Sequence, residues 1–261
     1  MAIEYQPPRR KQPFYAVVKW VMRRFHKKIR TVSLDGKLDE QCLYLVNHAN
    51  KYGPVLYETY FPVYNVKWGA APMLGKYGER RAYLRDVLYI QKNGYKHGKA
   101  AFKAFFEAFF SQFFYKGMKM LPTYTDARLM KTVKKSVEIL NESAVMIFPE
   151  DSNAGYFDEM MKFFPGFVLV MDAYFRKNKK DIPVRAVYYS KERSLMVVDE
   201  PCYLQDFVQQ GLDREGIAEA MRLRVNALYK RIISGEFDTP RQKKKFAKKA
   251  KKAAKKAAKQ K

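Results

Sequence analysis

Histidine and cysteine are scarce in this chain of 261 residues, which contains three His and two Cys. The two cysteines, Cys42 and Cys202, lie far apart in strand-like segments, so they indicate no disulfide framework. Together with three histidines they are too few for a convincing zinc site. We therefore predict no metal site and interpret both cysteines as reduced core residues of a cytosolic protein.

The chain also lacks long apolar runs, because basic residues interrupt every stretch before it reaches 18 apolar positions. No secretory signal pattern precedes the body of the sequence. A glycine-rich phosphate loop and a serine nucleophile elbow are missing as well. These absences argue against a membrane-spanning helix, a nucleotide-binding loop and a serine hydrolase.

Acidic residues are missing from the last 21 positions, where 12 Lys and Arg occur with no Asp or Glu. Residues 1–30 carry nine basic residues and one acid, whereas residues 31–240 carry 30 and 25. The net charge of +25 is thus concentrated at the two ends. We divide the chain into a basic amphipathic segment (1–30), one domain (31–235) and a Lys/Ala-rich tail (236–261), which we expect to be disordered or, alone in solution, only marginally helical.

Two segments have apolar residues at helical spacing. The first begins at Phe14 and carries Lys and Arg on its other side; its apolar positions are Phe14, Val17, Val18, Val21, Met22 and Phe25. This pattern fits a helix in an anionic membrane interface, or a helix packed on the body with a solvated basic face. The second segment repeats seven phenylalanines: Phe102, Phe105, Phe106, Phe109, Phe110, Phe113 and Phe114. It fits a core helix, the wall of a lipid-chain site, or a face pressed into a bilayer.

Strand-like and helix-like segments alternate through the remainder. Residues 43–46, 118–122, 144–148, 182–189 and 195–199 favour strands, and residues 126–142, 166–176 and 213–233 favour helices. Such alternation predicts an α/β fold with a mixed sheet covered by helices.

Polar residues follow two of the predicted strands directly. Asn47-His48 comes after residues 43–46 and begins the stretch NHANKYGP, and Pro149-Glu150 comes after residues 144–148 within FPEDSN. Polar side chains at the ends of strands are typical of catalytic loops on an α/β sheet.

In order and spacing these segments resemble the motifs of the glycerolipid acyltransferase family, the 1-acylglycerol-3-phosphate acyltransferase-like proteins. The first family motif is Asn-His, four residues, then Asp; the third is Phe-Pro-Glu-Gly-Thr/Ser-Arg. A fourth motif matches Ile182-Pro183-Val184, and the second, which ends in Arg, aligns with residues 121–125. The resemblance covers roughly residues 40–205 and implies an acyltransferase-like α/β fold.

The resemblance implies transfer of a fatty acyl group from acyl-CoA or acyl carrier protein to the hydroxyl of a lysolipid acceptor. His48 would be the general base, and no cofactor would be needed. Residues with an implied role in substrate binding are Asn47, Thr125, Arg128, Pro149, Glu150 and Ser152. The implied location is cytoplasmic, peripheral at the inner face of an anionic membrane.

The chain departs from the family at Gly53, which replaces the Asp that orients the catalytic His. Three accounts remain open: a compensating acid, namely Glu58, Glu150 or above all Asp151; orientation by a backbone carbonyl or water; or loss of catalysis. Asp151 is the extra carboxylate at a family glycine, and we predict it as the second catalytic residue.

The family's two phosphate-binding arginines are also replaced, by Thr125 and Asn153. Arg128, Lys162 or Arg185 could supply the missing charge, or the acceptor could lack a phosphate. The alternative function is a catalytically impaired protein that binds lipid, or binds nucleic acid through its tail. Nucleic-acid binding is the less favoured of these, because Phe246 is the tail's only aromatic residue and contact through phosphates alone is weak and salt-dependent.

Overall fold

A computed structural model describes residues 12–49, 53–153 and 155–258, apart from the side chains of Phe14 and of residues 253–258. Within these ranges seven strands form: β1 (Arg30–Ser33), β2 (Leu43–Val46), β3 (Asn65–Ala70), β4 (Met120–Thr123), β5 (Ala144–Ile147), β6 (Val184–Ser190) and β7 (Leu195–Val198). The α-helices there are α1 (Pro13–Phe25), α2 (Gly53–Tyr60), α3 (Tyr77–Tyr83), α4 (His97–Gly117), α5 (Leu129–Leu140), α6 (Gly166–Asn178), α7 (Leu204–Gln209), α8 (Arg214–Ile233) and α9 (Pro240–Ala258). A 3₁₀ helix (Ala71–Leu74) precedes α3, and a π-helix (Leu84–Lys92) follows it directly.

The strands form one mixed sheet in the order β1-β7-β6-β2-β5-β3-β4. All neighbouring pairs are parallel except β6 and β7, which are joined by a short turn and run antiparallel. Strand β2 lies between β5 and β6, and every residue of β2 and β5 is buried. Continuous apolar runs are what a parallel strand covered on both faces requires. The predicted α/β class with a mixed sheet and covering helices is therefore confirmed.

Each face of the sheet has its own core. The larger core joins one face to α5, α6 and α8, with Val133, Phe167 and Met221 fully or almost fully buried. The smaller joins the other face to α2 through Leu56 and Tyr57. Cys42 and Cys202 are both free and buried, as predicted.

Residues 240–258 of the C-terminal tail form helix α9, where we expected a disordered or only marginally helical segment. Ala and Lys are strong helix formers, and Thr239 caps the first turn by accepting a hydrogen bond from the Gln242 N–H (3.3 Å). The helix also contacts the body: the Arg193 guanidinium lies 4.2 Å from the centre of the Phe246 ring, and Lys249 pairs with Glu192 at 2.6 Å. The sequence of the tail, taken by itself, does not predict these contacts with the body.

Helix α1 divides its predicted apolar stripe between the body and solvent. Tyr15 is buried, and Val18 and Met22 are partly buried, whereas Val17, Val21 and Phe25 are exposed together with Trp20. Arg23 anchors the helix by donating to the Thr59 carbonyl oxygen at 2.6 Å. One side of α1 thus packs on the domain, while apolar residues on its other side remain uncovered, and contact of the helix with a membrane stays a prediction.

Helix α4 buries the side opposite its phenylalanines. Ala100, Ala104 and Ala108 are completely buried. All seven phenylalanines are exposed, from 36% for Phe114 to 71% for Phe109. The core-helix interpretation of this stripe is therefore wrong. In the part of the chain that the structure describes, α4 included, no helix is long and apolar enough to cross a membrane.

Candidate functional site

The carboxyl ends of β2, β3, β4 and β5 open onto a cavity of about 1350 Å³. His48 and Glu150 lie within it, and Trp68 of β3 and Thr123 of β4 line it. The far wall comes from the π-helix and α4. A crevice outside the carboxyl ends of parallel strands is the usual ligand site of an open α/β sheet.

His48 and Glu150 meet because β2 and β5 are parallel neighbours and each ends in one of these loops. The His48 Nδ1 atom lies 3.7 Å from Glu150 Oε2, and the same oxygen accepts a hydrogen bond from the His48 backbone N–H at 3.2 Å. The His48 Nδ1 atom is buried and has no hydrogen-bond partner of its own among the described residues. The ring is held laterally by Phe148 and Tyr156, whose centres are 4.8 and 5.4 Å away.

Burial sets the charge states of this pair. Desolvation, helped by the nearby Lys92 ammonium, lowers the pKa of His48 to about 3, so the imidazole is neutral at physiological pH. Burial also raises the pKa of Glu150, and hydrogen bonds from the His48 and Phe157 backbone N–H groups, with the charge of Lys92, oppose that rise. A neutral imidazole beside a buried carboxyl group is an arrangement that can accept a proton.

Asn47 fixes the loop that carries His48. It is buried, accepts from the Tyr189 backbone N–H (2.8 Å) and the Tyr57 hydroxyl (2.9 Å), and donates to the Tyr189 carbonyl (3.1 Å). These bonds tie the end of β2 to β6 and α2. Asn47, predicted to bind substrate, is thus placed behind the site as a structural anchor, and it does not line the cavity.

Gly53 begins α2 against the backbone of His48. A Cβ atom at this position would overlap the His48 carbonyl oxygen. Its φ angle is not in the left-handed region, so the requirement for glycine is one of contact and not of backbone conformation. At Gly53, where the motif that this sequence resembles has Asp, the backbone therefore has no room for a carboxylate.

Neither of the other two acids proposed to orient His48 lies at its ring. The Asp151 carboxylate accepts from the Asn153 backbone N–H (3.1 Å) and does not line the cavity. Glu58 is buried beneath α1, where it pairs with Lys67 (2.6 Å) and Lys119. The structure thus places Glu150, predicted as a binding residue, where Asp151 was predicted to act.

Lys92 is a site residue that the sequence did not reveal. It is the last residue of the π-helix and lies in a segment without a recognisable motif, so no sequence signal marks it. Its ammonium donates to the Ser152 hydroxyl at 2.6 Å and lies 5.8 Å from the Tyr156 ring centre. Burial lowers its pKa, while the charges of Glu150 and Asp151 oppose that effect. Ser152 therefore lines this cavity, and its role in binding substrate stays a prediction.

Thr125 and Arg128 are exposed at the rim of the same cavity, and Arg128 pairs with Asp126 at 2.7 Å. Pro149 is buried beneath the Glu150 loop, where its carbonyl accepts from the Phe164 N–H at 2.8 Å.

Two cations suggested as replacements for the missing arginines lie elsewhere. Arg185 is buried outside the cavity with Asp35 (2.8 Å) and Asp39 (2.6 Å), and Lys162 does not line the cavity. The cations that line the cavity among the described residues are Lys92 and Arg128.

The same described residues contain no cluster of three or more His, Cys, Asp or Glu side chains that could hold a metal ion. Comparison of the sequence with protein-family models and with curated proteins finds no match to either.

Proposed function

We propose that this protein is an acyltransferase of the glycerolipid acyltransferase type, which moves a fatty acyl group from a thioester of CoA or acyl carrier protein to the hydroxyl of a lysolipid. The observation that carries the proposal is the approach of His48 Nδ1 to Glu150 Oε2, 3.7 Å, inside a cavity lined largely by apolar side chains. Its volume of about 1350 Å³ suits a lipid chain better than a small metabolite.

In the proposed reaction His48 acts as a general base. It takes the proton of the acceptor hydroxyl while that oxygen attacks the thioester carbonyl carbon. The tetrahedral intermediate collapses, the C–S bond breaks and a C–O ester bond remains. The proton held by His48 passes to the departing sulfur, so the products are an ester and a free thiol. Electrons and atoms balance without an oxidant or a metal.

In this proposal Glu150 orients the His48 ring, which is the function of the Asp in the family motif. A carboxylate facing Nδ1 keeps the proton on that nitrogen and leaves Nε2 free to accept one from the acceptor. When the imidazolium forms, its charge is compensated by the carboxylate 3.7 Å away. Lys92 and Ser152, joined at 2.6 Å, are then placed to stabilise negative charge on the thioester oxygen or on the acceptor headgroup.

A position at an anionic membrane surface, on its cytoplasmic side, completes the proposal. Helix α1 exposes Val17 and Trp20 beside Arg24, which is the combination found in interfacial helices. The basic helix α9 would add attraction to anionic headgroups.

Release of free thiol from acyl-CoA, measured with a panel of lysolipid acceptors, tests the proposal. The protein's two cysteines are buried and should add little background to a thiol-reactive reagent. We expect His48→Ala to lower the rate by about 10²-fold or more, and the matched change His26→Ala, at a half-buried ring just after α1 and outside the cavity, to leave it unchanged. Equal rates for wild type and His48→Ala would remove His48 from the reaction.

The alternative is a protein that binds lipid without transferring an acyl group. One observation favours it: His48 Nδ1 is buried without a hydrogen-bond partner among the described residues, and burial lowers the pKa of the imidazole to about 3, which makes it a weak base. If wild type releases no thiol with any acceptor, yet a fluorescent lysolipid binds and is displaced by unlabelled lysolipid, lipid binding is the function.

A further inference from the structure

Helix α4 presents a continuous phenyl surface to solvent. Its seven phenylalanines are 36–71% exposed, while Ala100, Ala104 and Ala108 on the opposite side are completely buried. Small residues let α4 approach its neighbours closely, and they leave the large residues outside. A contiguous apolar surface of this kind marks an interaction site rather than a solvated face.

The phenyl rings are already packed against one another. Ring centres are 5.0 Å apart for Phe102 and Phe106, and 5.2 Å apart for Phe109 and Phe110, both in edge-to-face geometry. Helix α1 supports one end of the surface, because the buried Tyr15 ring contacts the Phe113 ring edge to face at 6.0 Å. The surface is therefore formed before any partner binds.

The same surface continues into the cavity. Phe106, Phe110 and Phe114 are exposed on α4 and also line the space that contains His48 and Glu150. One edge of the phenyl surface is thus the outer wall of the candidate site. Glu107 and Ser111 of α4 line the same space, so a hydrocarbon chain lying along α4 would reach the site over the three phenyl rings and past these two polar side chains.

Lys and Arg side chains border the phenyl surface, and their charge indicates which kind of partner it binds. The Arg81 guanidinium lies 5.7 Å from the Phe105 ring centre, and α4 itself carries Lys99, Lys103 and Lys116. The acid on α4, Glu107, accepts a hydrogen bond from the Tyr89 hydroxyl. Apolar rings bordered by Lys and Arg are complementary to a bilayer with anionic headgroups, in which the rings enter the acyl layer and the cations remain at the phosphates.

We propose that the phenyl surface of α4 inserts into an anionic bilayer and that its cavity-lining edge is a lateral doorway, through which a lipid moves from the bilayer to the site. Insertion into the bilayer is inferred from the residues of α4 and does not depend on the proposed function. The identification of the entering lipid as the acyl acceptor does rest on the proposed function.

Vesicle binding tests the surface directly. The double variant Phe102→Ser/Phe109→Ser changes two strongly exposed rings that do not line the cavity. Its control, Val208→Ser/Leu223→Ser, changes two exposed apolar side chains on α7 and α8, which are 51% and 53% exposed against 67% and 71% for the Phe pair. We expect sedimentation with phosphatidylglycerol-containing vesicles to weaken about tenfold or more for the Phe pair and to be unchanged for the control. Circular dichroism melts verify that both variants fold.

Two results would contradict insertion of the phenyl surface into a bilayer. The Phe pair could bind vesicles as well as wild type does. Alternatively, sedimentation velocity without lipid could show a dimer that the Phe pair dissociates while vesicle binding is retained, in which case the surface is a contact between two copies of this chain.

Quenching tests the doorway without requiring turnover. The chain has two tryptophans, so Trp20→Phe leaves Trp68, which lines the cavity, as the sole tryptophan, whose emission can be excited selectively over that of tyrosine. Brominated lysolipid delivered in vesicles should quench Trp68 in this background and should quench it much less once the Phe pair is added. Equal quenching of Trp68 with and without the Phe pair would contradict entry of lipid over the phenyl surface. Quenching that holds while no thiol is released would leave this inference standing and would reject the acyltransferase proposal.

Discussion

The His48 Nδ1 atom lies 3.7 Å from Glu150 Oε2, although 102 positions separate the two residues in sequence. Adjacent parallel strands bring them together, and a hydrogen bond from the His48 backbone N–H to the same carboxylate oxygen fixes their approach. This relationship gives the histidine a carboxylate partner in a chain whose first motif carries Gly53 instead of an acid.

Glu150→Gln removes the charge beside the imidazole and nearly preserves the side-chain volume. We expect thiol release to fall by about 10²- to 10⁴-fold, because the ring loses the group that orders its tautomer and compensates its charge. Asp151→Asn is the matched control and should change the rate less than about threefold, since its carboxylate bonds to a backbone N–H outside the cavity. A large loss of rate in Asp151→Asn together with a small one in Glu150→Gln would instead identify Asp151 as the acid that orients His48.

Lys92→Met should raise the pKa of His48. Burial is the larger cause of the lowered pKa and the ammonium the smaller, so the new value should lie above about 3 and below that of an exposed histidine. A titration of the imidazole resonances by NMR measures this directly in a protein with three histidines. The exposed Lys162→Met serves as control. An unchanged His48 titration would show that the charge of Lys92 does not act on the ring.

The lowered pKa of His48 in the folded protein predicts how acid affects the free energy of unfolding. Between about pH 6.5 and pH 3 the unfolded chain binds a proton at His48 that the folded chain does not bind. This residue therefore makes the free energy of unfolding fall as the pH falls through that window. Lys92→Met should reduce the His48 contribution to that loss, measured as the change in urea midpoint between pH 7 and pH 4.

Gly53→Ala should destabilise the protein, and Gly53→Asp should do so at least as much, because any Cβ here overlaps the His48 carbonyl oxygen. Overpacking of this kind costs about 1–3 kcal/mol. Gly78→Ala is the control, since α3 has open space at that position and alanine favours a helix over glycine by up to about 1 kcal/mol. Urea denaturation measures both. A stable Gly53→Asp protein with raised activity would instead indicate a site that lacked only its family carboxylate.

Glu58→Gln should be among the more damaging single changes in the domain. Glu58 is the buried acid that compensates Lys67 and Lys119, and the two lysines lower its pKa to about 2 despite its burial. Removing one partner of a buried ion pair costs about 3–5 kcal/mol. The control Glu219→Gln breaks an exposed pair with Arg222 and should cost under about 1 kcal/mol. Similar urea midpoints for both variants would contradict this account.

Truncation after Thr239 tests the role of α9. We expect binding to anionic vesicles to weaken and to become less sensitive to salt, because the removed helix is strongly basic. The domain should remain folded, as its contacts with α9 lie on the surface around Glu192 and Arg193. Vesicle binding that is unchanged while binding to DNA or RNA disappears would assign the tail to nucleic acid.

The sequence alone determined the class of fold and the location of the candidate site. Apolar runs alternating with amphipathic helices specify an α/β sheet, and polar residues directly after residues 43–46 and 144–148 fall where parallel strands end. Because hydrophobic period and strand-end position are local properties, they can be read before the chain folds.

Only the tertiary structure decided which side chains meet. Glu150 and Asp151 are adjacent in sequence, yet one faces the His48 ring and the other turns to a backbone N–H, because neighbouring residues of an extended segment point in different directions. Lys92 enters the site from a π-helix with no motif of its own. The seven phenylalanines of α4 have the period of a helix face, but period does not say which face is buried. Packing decides that, and in this protein the alanine face lies against the domain while the phenyl face remains outside.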